Sequence, residues 1–179
     1  MSEMRFIVNE RGKEQLVIED AKVLFHNYAG LQTDFNKAGN RNFDVILPDN
    51  DMAIAMGEKG WNVKIRRPKD PEDDPYYTLN VKINMDSHWP PNIEQQVRGR
   101  DPIPYDKSML GEPDPNDPTK YKNGSKGLDG TNIDRIVFVI NGSPWESQFG
   151  KGIKAYLDQF YFEKKAPVYG SFYEDDVPF

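Results

Sequence analysis

Apolar and polar residues alternate along several short stretches of the chain, which is the period of a β-strand with one buried face. The clearest stretch is residues 76–85, where every second residue from Tyr77 to Met85 is apolar. Residues 41–47 and 61–67 show the same alternation. Each stretch therefore predicts a strand whose apolar face packs on a core and whose other face meets solvent or a ligand.

The other periodic stretches in the first half of the chain predict further strands and one helix. Residues 4–9 and 15–20 predict an N-terminal hairpin or arm, and residues 22–28 predict the strand that follows it. A short helix is expected over residues 51–59, because the Asp-Asn pair at residues 49–50 can accept hydrogen bonds from the first free backbone N–H groups of the helix.

The second half of the chain is less regular. Residues 86–132 are rich in proline, glycine, asparagine and charge, and they predict a long functional or disordered loop. Residues 133–140 predict a strand that ends in a turn at residues 141–144. Residues 153–163 predict a final strand rather than a helix, because β-branched and aromatic residues crowd this stretch.

Composition limits the class of protein. Apolar residues make up 37% of the chain, and 29 acidic against 23 basic side chains give a net charge of −6, so a site for a polyanion must come from local clustering of cations. The absence of cysteine excludes disulfides, thiolate zinc sites and a cysteine nucleophile. The sequence shows neither an apolar run long enough to span a bilayer nor a signal peptide, so we expect a cytoplasmic protein without membrane contact.

Catalytic and metal-binding patterns are weak. Asp86, Ser87 and His88 are adjacent in sequence and therefore cannot converge on one another as a catalytic triad. The 2 histidines share no metal-ligand spacing, and the acidic run at residues 72–74 lacks the glycine and the spacing of a calcium loop. We predict no catalytic residue, no metal and no cofactor.

The chain ends in an acidic segment with an aromatic last residue, which is too polar to fold on itself. The residues concerned are Glu174, Asp175, Asp176, Val177, Pro178 and Phe179. A ring and carboxylates in this order suit an apolar pocket with a basic rim on another protein. The segment resembles the acidic tip of bacterial single-stranded DNA-binding proteins. The resemblance implies that this tip binds replication and recombination proteins, while the body of the chain binds single-stranded DNA (ssDNA).

Parts of the body, at residues 41–43, 60–64 and 152–157, resemble bacteriophage-encoded proteins of the same type. The N-terminal signature of the bacterial housekeeping proteins is absent, so their tetramer is not expected, and a monomer and a homodimer both remain open. Together with the strand pattern, the resemblance favours an all-β fold: an OB-like Greek-key barrel of five to six strands, with one short helix, a long loop and a flexible acidic C-terminal tail. A β-sandwich and an α+β sheet remain alternatives.

Single-stranded DNA is held by cations that contact phosphates and by aromatic rings on which bases stack. Several rings of this chain lie beside cations in the sequence, and they predict both kinds of contact. The predicted phosphate contacts are Lys64, Arg66, Lys82, Lys120, Lys122 and Lys154. The predicted stacking rings are Trp61, Tyr76, Tyr121 and Tyr156. Trp61 has an alternative assignment as an ordinary core residue, together with Tyr77, Phe138 and Phe162.

These features divide the chain into an N-terminal arm at residues 1–20, an ssDNA-binding domain at residues 21–166 and a protein-interaction tail at residues 167–179. The predicted function is that of a non-enzymatic phage protein that coats ssDNA during replication, recombination or repair. Two rival functions remain open. One is a metal-dependent nuclease or other DNA-processing enzyme, and the other is a phage structural or assembly protein whose acidic tail docks on another subunit.

Overall fold

The structure, a computed structural model, describes residues 1–165, and residues 166–179, which hold the predicted tail, lie outside the described part. Ten β-strands and one α-helix form within residues 1–165. In chain order, β1 to β10 are Glu3–Val8, Glu14–Glu19, Val23–Asn27, Arg41–Leu47, Val63–Arg66, Tyr76–Ile83, Asn92–Gln95, Ile103–Pro104, Ile133–Ser147 and Gly150–Lys164. The helix α1 is Asn50–Glu58, and two short 3₁₀ helices lie at Lys122–Gly124 and Gly127–Gly130.

The strands close into a ring because β2 and β3 act as one strand that bends at residues 20–22. β2 pairs with β9, and β3 pairs with β4. At the bend, the Ala21 N–H donates to the Ile136 carbonyl at 2.9 Å, and the Ile46 N–H donates to the Lys22 carbonyl at 2.9 Å. β4, β6, β10 and β9 complete the ring, in which β6 and β10 are parallel and the other neighbours antiparallel. This is a Greek-key barrel of five ring strands, so the predicted all-β class and OB-like barrel are confirmed.

Four further strands and the helix lie outside the ring. β1 pairs with β2 as an antiparallel hairpin, β5 pairs with β6, β7 pairs with β10, and β8 pairs with β7. The predicted short helix is confirmed, and Asp49 caps it by accepting a hydrogen bond from the Met52 N–H at 3.0 Å. Ala53 and Met56 bury one side of α1 in the core.

Aromatic rings fill the centre of the barrel. Phe43 from β4, Phe138 from β9 and Phe160 from β10 are fully buried. The ring centroids of Phe43 and Phe138 lie 4.5 Å apart, and those of Phe138 and Phe160 lie 4.7 Å apart. Aromatic pairs at such distances add about 0.5–1.5 kcal/mol each beyond the burial of their area. Phe43 and Phe138 mark the inner side of β4 and β9, so the residues that alternate with them face outward.

β9 continues past the turn that the sequence predicts at residues 141–144, so that prediction is wrong. Residues 142–147 pair with residues 150–155 in a long hairpin of β9 and β10. Gly142 favours a turn in the sequence, but in the fold it makes room for an aromatic ring, since a Cβ at this position would lie 2.7 Å from Trp61.

The proline-rich segment at residues 86–132 packs on the barrel over part of its length. β7 pairs with β10, and Leu110 and Leu128 are fully buried in the core. The Arg41 side chain, in a residue that is only 6% exposed, donates to the Gly111 carbonyl at 3.0 Å. This bond ties the segment to β4.

Replacing Gly127 with alanine should lower the free energy of unfolding by about 2 kcal/mol or more, because extra volume would be forced into a packed site. Gly127 has a φ of +57°, and a Cβ there would lie 2.5 Å from the Gly111 nitrogen. Gly124 is the matched control, since its φ is +70° but no heavy atom lies within 4 Å of the Cβ position. Gly124→Ala should cost only about 1 kcal/mol, from the left-handed backbone alone. Equal losses for the two variants in chemical denaturation would contradict this packing.

Candidate nucleic-acid interface

A row of outward-facing side chains crosses the ring of strands. Tyr156 on β10 pairs directly with Lys82 on β6, and Lys82 pairs with Asn42 on β4. On its other side, Tyr156 pairs with Asn141 on β9, which pairs with Gln15 on β2. Paired residues project from the same side of a sheet with their Cβ atoms about 5 Å apart. The row is therefore continuous from β2 to β4.

Three lysines share this outer side of the barrel. Lys154 lies two residues before Tyr156 on β10, and Lys64 on β5 pairs with Thr78, four residues before Lys82 on β6. Because successive strand side chains alternate between faces, Lys64, Lys82 and Lys154 project to the same side. All three are exposed, and none has an ion-pair partner in the described part of the chain. These three lysines and Tyr156 define what we call the lysine face.

Arg66 and Tyr76 lie beside the lysine face, but Arg66 is engaged by a carboxylate. Arg66 Nη2 lies 3.1 Å from Asp44 Oδ2, and Arg66 Nε donates to Thr78 Oγ1 at 3.2 Å. Tyr76 pairs with Arg66 across β5 and β6 and is half-buried. The charge of Arg66 is thus partly balanced within the fold, unlike that of the three lysines.

Trp61 lies where the turn after α1 meets the β9–β10 hairpin. Its ring centroid is 6.2 Å from that of Phe6, and the side chain is partly buried against the core. The ring also contacts the backbone at Gly142, which pairs with the buried Ala155 and so marks the inner side of the hairpin. The structure therefore does not bring Trp61 together with Tyr156 on the outer side.

Lys120, Tyr121 and Lys122 have their partners in the segment of residues 86–132. Lys120 Nζ lies 3.9 Å from Asp117 Oδ2, and Lys122 Nζ lies 3.6 Å from Glu112 Oε2. The Tyr121 hydroxyl donates to Asp129 Oδ2 at 3.2 Å. The three residues are predicted DNA contacts, but the fold places a carboxylate beside each of them. A basic run in the sequence is thus partly neutralised by carboxylates of the same segment, Glu112, Asp117 and Asp129.

The Tyr121–Asp129 hydrogen bond predicts a pH dependence of stability. Burial, together with the charge of Asp129 and this hydrogen bond, raises the pKa of Tyr121 from 10.0 to about 12. The folded state therefore favours the neutral phenol, so its contribution is fully present below pH 10 and is lost as the pH rises through about 12. In urea unfolding, the difference in stability between the wild type and Tyr121→Phe should shrink over this interval. A difference that is constant with pH would contradict the assignment.

Five aromatic rings that are not among the predicted DNA contacts are exposed in residues 1–165. They are Phe25, Phe35, Trp89, Trp145 and Phe149, with exposed fractions of 71%, 99%, 75%, 40% and 89%. Phe35 lies in the β3–β4 connection, and Phe149 lies at the end of the β9–β10 hairpin. Trp145 pairs with Gly152, two residues before Lys154, and so projects to the side of the lysine face. Phe35, Trp89 and Phe149 share one sequence signal, which is an aromatic residue in a connection between strands, where little core is at hand to bury it. Phe25 and Trp145 lie within strands and have no such signal.

Within residues 1–165, no group of three or more His, Asp or Glu side chains could hold a metal ion. No helix in this part of the chain is long and apolar enough to cross a bilayer. The lysine face offers ammonium groups and an aromatic ring, which are the groups that bind phosphates and stacked bases.

Comparison with known proteins gives one family and several solved structures. The family described as "Putative phage ssDNA-binding domain" matches residues 6–178. No curated protein matches the chain. The C-terminally truncated single-stranded DNA-binding protein from bacteriophage Enc34 is 11% identical with a TM-score of 0.49, covering 90% of this chain and 91% of that chain. The Enc34 protein in complex with ssDNA is 9% identical with a TM-score of 0.48, covering 92% of this chain and 93% of that chain. Because the family match runs over nearly the whole sequence, this chain belongs to the phage ssDNA-binding domain family.

Proposed function

We propose that this chain is a non-enzymatic phage protein that binds and coats ssDNA during DNA replication and recombination in the host cytoplasm. The observation that carries the proposal is the lysine face, on a barrel whose chain matches the phage ssDNA-binding family. Its three lysines have no ion-pair partner among residues 1–165, and one of them, Lys82, is in register with Tyr156. A groove of cations with an aromatic ring binds single strands without reading their sequence.

The proposed contacts divide by chemistry. Lys64, Lys82 and Lys154 contact phosphates, and Tyr156 stacks on a base. Trp145 of the β9–β10 hairpin flanks this surface, as the corresponding loop of OB barrels flanks a bound oligonucleotide. Lys120 and Lys122 make a smaller contribution, since each already lies within 4 Å of a carboxylate.

The test of this function is the binding of fluorescein-labelled oligo(dT), followed by fluorescence anisotropy. We expect saturable binding that unlabelled oligo(dT) competes away and that an equal mass of duplex DNA competes away much less. Incubation of the labelled strand with Mg²⁺ and the protein should leave its length unchanged. No binding to oligo(dT) would favour the assembly-protein alternative, and cleavage would favour the nuclease alternative.

The acidic C-terminal tip lies outside the described residues, and we propose that it recruits replication or recombination proteins. Deleting residues 171–179 should leave ssDNA affinity unchanged or raise it, because an anionic segment that competes for the lysine face is removed. Deleting Phe179 alone is the matched variant, since it keeps every acidic side chain. It should abolish the capture of host replication proteins while ssDNA affinity stays at the wild-type value. A tail deletion that lost ssDNA binding would contradict this division of roles.

A further inference from the structure

Phe25 has a backbone conformation that an aromatic residue rarely adopts. Its φ is +52°, in the left-handed region, and it lies in an irregular part of the β3–β4 pairing between Leu24 and Asn27. A residue with a Cβ is destabilised in this region, and such residues persist where the surrounding structure holds them, often at functional sites. Burial does not offset the cost here, because Phe25 is 71% exposed.

A fixed guanidinium supports the ring of Phe25. Arg66 Cζ lies 5.5 Å from the centroid of the Phe25 ring, which is within the range of a cation–π contact. Arg66 is itself held by Asp44 at 3.1 Å and by Thr78 at 3.2 Å. Asp44 also accepts a hydrogen bond from Asn80 at 2.8 Å and is mostly buried. Asp44 and Thr78 thus hold the guanidinium in place, and much of the Phe25 ring stays open to solvent.

The ring lies on the same outer surface as the lysine face. Asp44, which anchors Arg66, pairs with Asn80 on β6, two residues before Lys82. β3, β4 and β6 are adjacent in the sheet, so β3 and β6 lie about 10 Å apart. One strand of DNA held by Lys82 can therefore reach the ring of Phe25.

We infer that Phe25 is a stacking platform for one nucleobase of the bound ssDNA, and that Arg66 is a positioning residue that holds the ring in place. The inference rests on the proposed function and deepens it. The sequence predicts Arg66 as a phosphate contact, and this inference makes it a positioning residue for the Phe25 ring instead. A guanidinium already paired with Asp44 gains little from a phosphate, whereas its planar group can order a ring that lacks a core to pack against. Stacking on Phe25 would not depend on the base, because every base offers a π face.

The affinity for labelled oligo(dT), measured by anisotropy at several salt concentrations, tests the platform. Phe25→Ala should lower the affinity about 5- to 150-fold, the range for loss of one stacked base, and leave the slope of log K against log salt unchanged. Phe35→Ala is the matched control, since this ring is 99% exposed but has no cation over it in the described part of the chain. It should have a smaller effect than Phe25→Ala.

Phe25→Gly separates binding from folding. Glycine accepts a positive φ without strain, so this variant should unfold at the wild-type temperature or above while losing affinity as Phe25→Ala does. Arg66→Ala should weaken binding in the wild type and cause no further loss in the Phe25→Ala background.

The outcomes distinguish this inference from the function on which it rests. Wild-type protein that does not bind oligo(dT) overturns the proposed function itself. Wild-type protein that binds, with Phe25→Ala within twofold of it, overturns the stacking platform. A salt slope that falls by about 0.7 in Arg66→Ala shows a phosphate contact and overturns the positioning role.

Discussion

Replacing Lys64, Lys82 and Lys154 together with glutamine should lower the affinity for oligo(dT) about 100-fold at 0.1 M salt. Each lysine–phosphate contact on a single strand releases about 0.7 counterions, so three contacts contribute about two powers of ten at this salt concentration. The slope of log K against log salt should become shallower by about 2. Anisotropy titrations from 50 mM to 400 mM salt measure both quantities.

The matched control carries the same change in net charge at a different place. Lys120, Lys122 and Lys126 lie in the basic run of the segment at residues 86–132, and their joint replacement with glutamine should lower the affinity by less than about tenfold. If the control triple lost as much affinity as the lysine-face triple, the charge that binds DNA would not be located on β5, β6 and β10. Circular dichroism should show both triples folded, since all six residues are exposed.

Tyr156→Ala should lower the affinity for oligo(dT) about 5- to 150-fold, because one stacked base loses its ring. The salt slope should not change, since the substitution removes a ring and no cationic phosphate contact. Tyr156→Phe keeps the ring and should bind within about twofold of the wild type.

Tyr161→Ala is the control on the same strand. Tyr161 is also half-buried, but it pairs with Glu94 on β7, beyond an irregularity in β10, and its hydroxyl donates to Gln159 at 2.7 Å. Its loss should change the affinity by less than about twofold. Equal losses of affinity for Tyr156→Ala and Tyr161→Ala would show that DNA binding depends on β10 as a whole and not on the lysine face.

Local sequence rules predict the elements of this fold that have a regular period. The alternation over residues 76–85 gives β6 and its outer residues correctly, and the cap at Asp49 gives the start of α1. The pairing of Lys64 with the outer side of β6 follows from the same alternation, because β5 and β6 are antiparallel neighbours and Val63, next to Lys64, packs against the core. The ring closure at residues 20–22 does not follow from it, since it depends on two hydrogen bonds to distant strands.

Tertiary context decides the parts that the sequence does not predict. The turn expected at residues 141–144 is a strand because Trp61 fills the space over Gly142. In β10, the pairing with β9 shifts between Leu157 and Gln159, so Phe160 turns inward although a strict alternation from Tyr156 would place it outward. A single unpaired residue therefore changes which rings form the core and which remain outside.

The candidate site also depends on tertiary structure that local sequence rules do not predict. Tyr156 lies beside Lys82 only because β10 runs parallel to β6, which is a property of the whole topology. The positive φ of Phe25 has no sequence signal, since glycine and asparagine are the usual residues in that region.

The most direct test of the account is lysine footprinting, in which acetylation rates of individual lysines are measured by mass spectrometry with and without saturating oligo(dT). We expect Lys64, Lys82 and Lys154 to react several-fold more slowly in the complex, with a smaller change at Lys120 and Lys122. Equal acetylation rates at Lys64, Lys82 and Lys154 in the free and the DNA-bound protein would contradict it.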